Sequence, residues 1–219
     1  MTFNGPQPAD YDNVASLNRA YLSVLGRDSR SHSGLAHLST DLYGRLTELT
    51  EGQVERLSAA PFLLLSFREQ DDRYWSKVLD DSSGRDLFAV SACEELDTVV
   101  SAGLGFVWQL ARQNPYTLRL FCGASLYWCE RIAEQTFFRL LASVASQGSV
   151  PELRNAHDQK LWTKLLDDGV SRCTPIRHAA HLSAMQTVLT RPENPRQPKW
   201  ARAARSSGYS GLRVADEPN

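Results

Sequence analysis

Apolar residues recur in steps of three and four from Tyr11 onward. Val14, Leu17, Tyr21, Val24 and Leu25 form one stripe, which predicts a helix that Gly26 ends. Ser39 stands where it can cap a short helix bearing Leu42 and Leu46. Thr50 and Gln53 have the spacing of a capping box, opening a helix with Val54 and Leu57 that stops before Pro61. The run Phe62 to Phe67 predicts a buried element, and its periodicity leaves strand and helix both open. Asp71 is placed to cap a helix carrying Tyr74, Trp75, Val78 and Leu79. Residues 86–112 read as one or two helices, interrupted or bent near Gly103 and Gly105. Asn114 and Pro115 form a cap-plus-proline helix start, followed by a mostly apolar segment to residue 146. A further amphipathic helix is expected over 151–167, with Leu153, Leu161, Trp162 and Leu165 on its apolar face and Gly169 closing it. Thr174 and Pro175 open the last helix, which Ile176, Ala179, Leu182, Val188 and Leu189 carry to Thr190.

Strands alternating with helices, the mark of a parallel sheet, are missing, so the expected fold class is all-α. The turn-rich stretch 80–85 is the best linker and divides the chain into two expected helical subdomains, 11–79 and 86–190. Residues 1–10 read as a polar tail, and 191–219, with three prolines in their first eight positions, as a disordered basic one. The 219 residues carry 24 basic and 25 acidic side chains, a net charge of −1. That balance hides an asymmetry: the last 29 residues hold six basic residues against three acids, or +3, and leave the preceding 190 at −4. No apolar run reaches the length of a membrane span and the first residues lack the pattern of a secretion signal, so no membrane contact and a cytoplasmic location are expected.

Catalytic and metal signatures are missing. There is no G-x-S-x-G, no phosphate loop, no H-E-x-x-H and no dinucleotide fingerprint. Cys93, Cys122, Cys129 and Cys173 have no zinc spacing, and Cys122 and Cys129 fall among apolar residues as reduced, buried thiols would. His178 and His181 share a helical face but lack a third ligand, so the plainer account is a polar face of the last helix. Asp80 with Asp81, and Asp167 with Asp168, read as solvated helix ends, and His32 and His37 as loop residues. The chain is therefore expected to be no enzyme and to hold no metal and no cofactor.

Residues 115–139 fit a helix-turn-helix template. Gly123 takes the turn position, Leu118, Cys122, Ala124, Cys129 and Ile132 take the apolar offsets, and Ser125 opens the second helix. Arg119 stands where a small residue ordinarily packs between the helices. Arg131 and Gln135 are the best base-reading candidates, whereas Glu130 and Glu134 oppose phosphate. Apolar helices separated by a glycine are also common in plain cores.

One ordered set of motifs goes further. It comprises Leu17-Asn-Arg-Ala-Tyr21-Leu22, then Leu42 and Leu46, then Leu49-Thr50-Glu-Gly-Gln53 with Leu57, then Leu63-Leu-Leu-Ser-Phe67-Arg68. Over residues 14–70 this order resembles FlhD, the D subunit of the bacterial flagellar master regulator; the connector between Gly26 and Leu38 differs from that family's. A fainter stretch over 118–142, Gly123-Ala124-x-Leu126, Glu130 and Phe138-Arg-Leu-Leu, is similar to the partner subunit FlhC, without that family's four-cysteine zinc module. The resemblance implies an oligomeric transcriptional regulator that binds DNA with or through a second regulator subunit. It implies a homo-oligomer paired through the first helix, with Leu17, Tyr21 and Val24 at the interface. The basic tail adds phosphate-contact candidates: Arg196, Lys199, Arg202 and Arg205, with Arg191, Arg213 and Trp200 beside them. The alternative is a helical protein–protein adaptor that never touches DNA.

Overall fold

The computed structural model describes residues 5–27, 38–80, 94–147 and 150–190. The expected linker (but for Asp80), the basic tail with its six named cations, His32, His37 and Cys93 lie outside the described residues. Within them the fold is all-α: ten helices, one π turn and a single two-stranded ladder. The helices are α1 (Pro8–Arg27), α2 (Thr40–Thr47), α3 (Glu51–Ser58), α4 (Asp72–Asp80), α5 (Glu94–Gln113), α6 (Pro115–Cys122), α7 (Leu126–Ala133), α8 (Phe137–Gln147), α9 (Gln159–Lys164) and α10 (Thr174–Thr190). The π turn, Leu165–Gly169, continues α9. The strands are β1 (Leu65–Ser66) and β2 (Glu152–Leu153). No helix among the described residues is long and apolar enough to cross a membrane.

The capping residues act as the sequence implies. Ser39 accepts from the Leu42 N–H, Asp71 from the Tyr74 N–H and Asn114 from the Thr117 N–H, while Thr50 and Gln53 form the reciprocal box. Three elements differ from expectation. α1 runs through Gly26 to Arg27, because its last turn passes the end of α2 at Thr47 and Arg27 is held by Glu95 of α5 at 2.7 Å. α5 is one unbroken helix past Gly103 and Gly105. Gly103 is there for close approach: a Cβ on it would stand 2.7 Å from the Phe67 ring. The expected helix over 151–167 starts only at Gln159, where Asp158 caps it; Leu153 belongs to the ladder instead.

The apolar core is continuous from Val14 to Val188, and helices from both sides of residues 80–85 share it. α1 packs against both α3 and α5. Its inner face includes Leu17, Tyr21 and Val24, all buried within this same chain. These side chains therefore serve the chain's own core, a correction to the expected pairing face. Each large apolar side chain so buried contributes about 1.5–3 kcal/mol. Asn18, between them and fully buried, donates to the Ser58 and Phe62 carbonyls and accepts from the Leu64 N–H at 2.7 Å. It bolts α1 to the apolar segment 62–67, which settles as β1 with its flanks and pairs antiparallel with β2, Leu65 opposite Leu153 and Ser66 opposite Glu152.

Arg154, one residue past β2, closes this centre. Its guanidinium is buried and donates to the carbonyls of Leu63 and Cys122 at 2.5 Å and of Leu65 at 2.7 Å, and to Glu69 Oε1 at 2.7 Å. Glu69 is equally buried, and its second oxygen accepts from Ser66. Burial works against the charge on Arg154, but the Glu69 carboxylate and Cys122 outweigh it and the net shift is upward.

Candidate nucleic-acid interface

α6 and α7 are eight residues each and are joined by the three residues Gly123, Ala124 and Ser125. Gly123 has φ of +67°, the left-handed region, and its N–H bonds to the Arg119 carbonyl, ending α6. A Cβ there would also stand 2.7 Å from the Val188 carbonyl of α10. Ser125 caps α7 by accepting from the Trp128 N–H at 3.1 Å. All five apolar offsets of the helix-turn-helix template, Leu118, Cys122, Ala124, Cys129 and Ile132, are buried. Arg119, at the position that suits a small residue, is exposed. Cys122 and Cys129 are buried thiols as expected; burial pushes Cys129 up to about 12 and Cys122 well above its ordinary value, with Glu69 adding to both. Neither is a nucleophile at neutral pH.

The candidate base-reading residues take different places. Arg131 sits on α7 with its guanidinium 5.9 Å from the Tyr127 ring centre, in a cleft shared with α4. Asp72, Trp75, Ser76 and Leu79 of α4 face Tyr127, Trp128 and Arg131 of α7 across it. The cleft holds about 10 Å³, room for one water and too little to enclose a small molecule. Trp75 and Trp128 meet edge to face at 5.3 Å on its floor. Burial raises the Asp72 carboxyl above the usual range and Asp71 adds to this, against the opposing pull of Arg131. Gln135 lies beyond α7, in the turn to α8, where its carbonyl accepts from Trp108 Nε1 at 2.8 Å. Glu130 on α7 and Glu134 just past its end are exposed instead.

Arg19 pairs with Glu55, Arg27 with Glu95, Arg45 with Asp167, Arg68 with Asp71 and Glu152, and Arg154 with Glu69. Arg56 donates to the Val170 carbonyl instead, and Lys160, Lys164, Arg172 and Arg177 form no ion pair among the described residues. Arg73, Lys77, Arg112, Arg119, Arg131 and Arg139 form no ion pair among the described residues, and all but the half-buried Arg131 are exposed. Arg139 reaches the Leu79 carbonyl at the end of α4, and Arg112 covers the Trp108 ring that docks on the α7–α8 turn.

Histidine and aspartate pairs hold no metal geometry: no group of three His, Cys, Asp or Glu side chains suited to an ion occurs among the described residues. His178 is exposed, but His181 is buried with Nε2 3.1 Å from the Gly169 carbonyl, so the expected polar face of the last helix is a buried clamp at this residue. Asp167 and Asp168 are exposed, as expected. The Arg154 network was missed from the sequence, and of the apolar residues expected to carry α10 only Val188 is buried: Ile176, Leu182 and Leu189 are 47%, 61% and 39% exposed, and Ala179 is exposed too. No protein-family model, no curated protein and no solved structure matches the chain.

Proposed function

We propose that this chain is a DNA-associated transcriptional regulator that acts within an oligomer, the class that residues 14–70 resemble. The observation that carries the reading is the α6–α7 unit with its left-handed Gly123 turn, accompanied by the exposed Arg112, Arg119 and Arg139, which form no ion pair among the described residues. Unpaired Arg and Lys heads on a surface neutralise phosphates without an internal competitor. Glu130 and Glu134 argue against deep insertion of α7 into a groove, so phosphate contact dominates and sequence choice falls to a second subunit.

The test is fluorescence anisotropy of the full chain on mixed-sequence duplex DNA between about 50 and about 200 mM salt. Replacing Arg119, Arg131 and Arg139 together by Gln should weaken binding and flatten the salt slope by roughly 0.9 for each phosphate no longer neutralised. An unchanged slope would reject the reading. The second reading, an adaptor that binds protein only, is favoured by the exposed apolar face of α10; absence of DNA binding at low salt would select it.

A further inference from the structure

We propose that the outer face of α10 is a docking surface for a second copy of this chain, helix against helix. The inference is independent of any DNA contact.

α10 carries two seams. The inner one, with Ala180, Ala184 and Val188, is buried against the chain's own core. The outer one runs Pro175, Ala179, Leu182, Gln186, Leu189, in steps of four, three, four and three, and every member is exposed. That spacing is the repeat by which one helix packs along another, with a leucine at alternate positions. A solvated helix face ordinarily carries charge. This one carries none: the single charged residue of the helix is Arg177, which donates to the Ser171 carbonyl and to Thr174 Oγ1.

Charge selects the occupant. A two-fold interface sets a patch against itself, so any charged patch meets its own sign. A charge-free seam escapes that repulsion, and it offers nothing to a charged partner. Residues 191–219, which contain nine charged side chains, are a poor match for the same reason. The seam is also nearly symmetric about Leu182, with Pro175 seven residues before it and Leu189 seven after. Antiparallel pairing about Leu182 therefore lays Leu182 on its mate and Pro175 on Leu189. A 17-residue helix is about 25 Å long. Pairing along that length covers on the order of 500 Å² per chain, and the resulting total of about 1,000 Å² is the lower limit of a specific interface. An interface at that limit is a weak one.

Light scattering and sedimentation of the full chain from about 1 to about 100 μM test this. The unaltered chain should pass from monomer to dimer across that range. Leu182→Glu sets two carboxylates together at the axis and should weaken association by about 100-fold or more. Gln186→Leu extends the apolar seam and should tighten it several-fold. Both sites are exposed, so at about 1 μM, where the chain is monomeric, far-UV circular dichroism and thermal midpoint should stay unchanged and show that the variants fold. A chain that remains monomeric at the highest concentration, or a dimer that Leu182→Glu leaves intact, overturns the proposal.

Discussion

Replacing Arg154 by Met tests what holds the centre of the fold. The guanidinium meets three backbone carbonyls and one carboxylate in a site where Arg154 is 5% and Glu69 3% exposed. Met fills much the same volume, so packing changes little and the polar account dominates. Glu69 loses its counter-ion while still buried, which costs about 3–5 kcal/mol. The carbonyls of Leu63, Leu65 and Cys122 lose a donor each, at about 1–3 kcal/mol apiece where no water can replace it. These losses share one site and do not add, so the expected total is roughly 4–6 kcal/mol. Against a stability of about 5–15 kcal/mol for a domain, that is severe. The measurement is urea unfolding followed by tryptophan fluorescence, with Trp162, whose Nε1 donates to the Arg154 carbonyl, as a local reporter. The double variant Arg154→Met, Glu69→Leu removes the stranded carboxylate and should recover part of the loss, though not the carbonyl bonds. A loss under about 1 kcal/mol in Arg154→Met, or no recovery in the double variant, would show that the ion pair does not carry this centre.

Gly123→Ala forces a Cβ into a left-handed residue and against the Val188 carbonyl. The backbone penalty of about 1–2 kcal/mol plus the clash should lower the thermal midpoint by roughly 4–8 °C in calorimetry; an unchanged midpoint would mean α6 and α10 separate freely. His181 predicts a pH dependence. Burial depresses its imidazole to about 4 from an unfolded value near 6.5, the Gly169 bond opposing this and Arg177 and His178 adding to it. Between those values the unfolded chain binds the extra proton. Its contribution is therefore complete above about pH 6.5 and is lost as pH falls towards 4, by up to about 3 kcal/mol. His181→Gln should flatten the stability profile from pH 7 to 4.5 relative to the unaltered chain, and parallel profiles would remove this residue as a cause.

How much was legible follows from where each signal lives. Local chemistry was: Ser39, Thr50 with Gln53, Asp71 and Asn114 cap as read because a cap needs only residues within one turn. Gly123 was legible as a turn for the same reason. The misreadings concern partners distant in sequence. Gly103 looks like a helix breaker until Phe67 arrives over it. Leu153 and Arg154 look like the start of an amphipathic helix until β1, some ninety residues earlier, claims one for its ladder and the other for its carbonyls. Asn18 lies in a motif whose order suggested a family, but nothing local says that its amide will satisfy three backbone groups of residues 58–64. The outer seam of α10 was visible as a four-three pattern without charge. Its Ala179, Leu182 and Leu189 were read together with Ile176 and the buried Val188 as one apolar pattern, because the pattern says that a face packs, not whether the chain itself supplies the partner.

That same ambiguity explains the exchange between the two ends of the molecule. Leu17, Tyr21 and Val24 form a stripe as good as the one on α10, and the expectation gave it to a second chain. In the fold α3 and α5 take it, and Asn18 locks the arrangement with bonds that a partner subunit would have to duplicate. The free seam lies instead on α10, whose Val188 carbonyl sits against Gly123 at the α6–α7 turn. If two chains pair through α10, each pairing helix therefore touches the turn of its own α6–α7 unit, and the dimer axis fixes how the two units face one another. Spacing between half-sites is set by such an axis. A variant that breaks the α10 seam should then weaken DNA binding by removing the second chain's hold on phosphate, while leaving each monomer's own hold as it was. Anisotropy titrations of Leu182→Glu would read this as a salt slope near half that of the unaltered chain, and an equal slope would separate pairing from DNA binding.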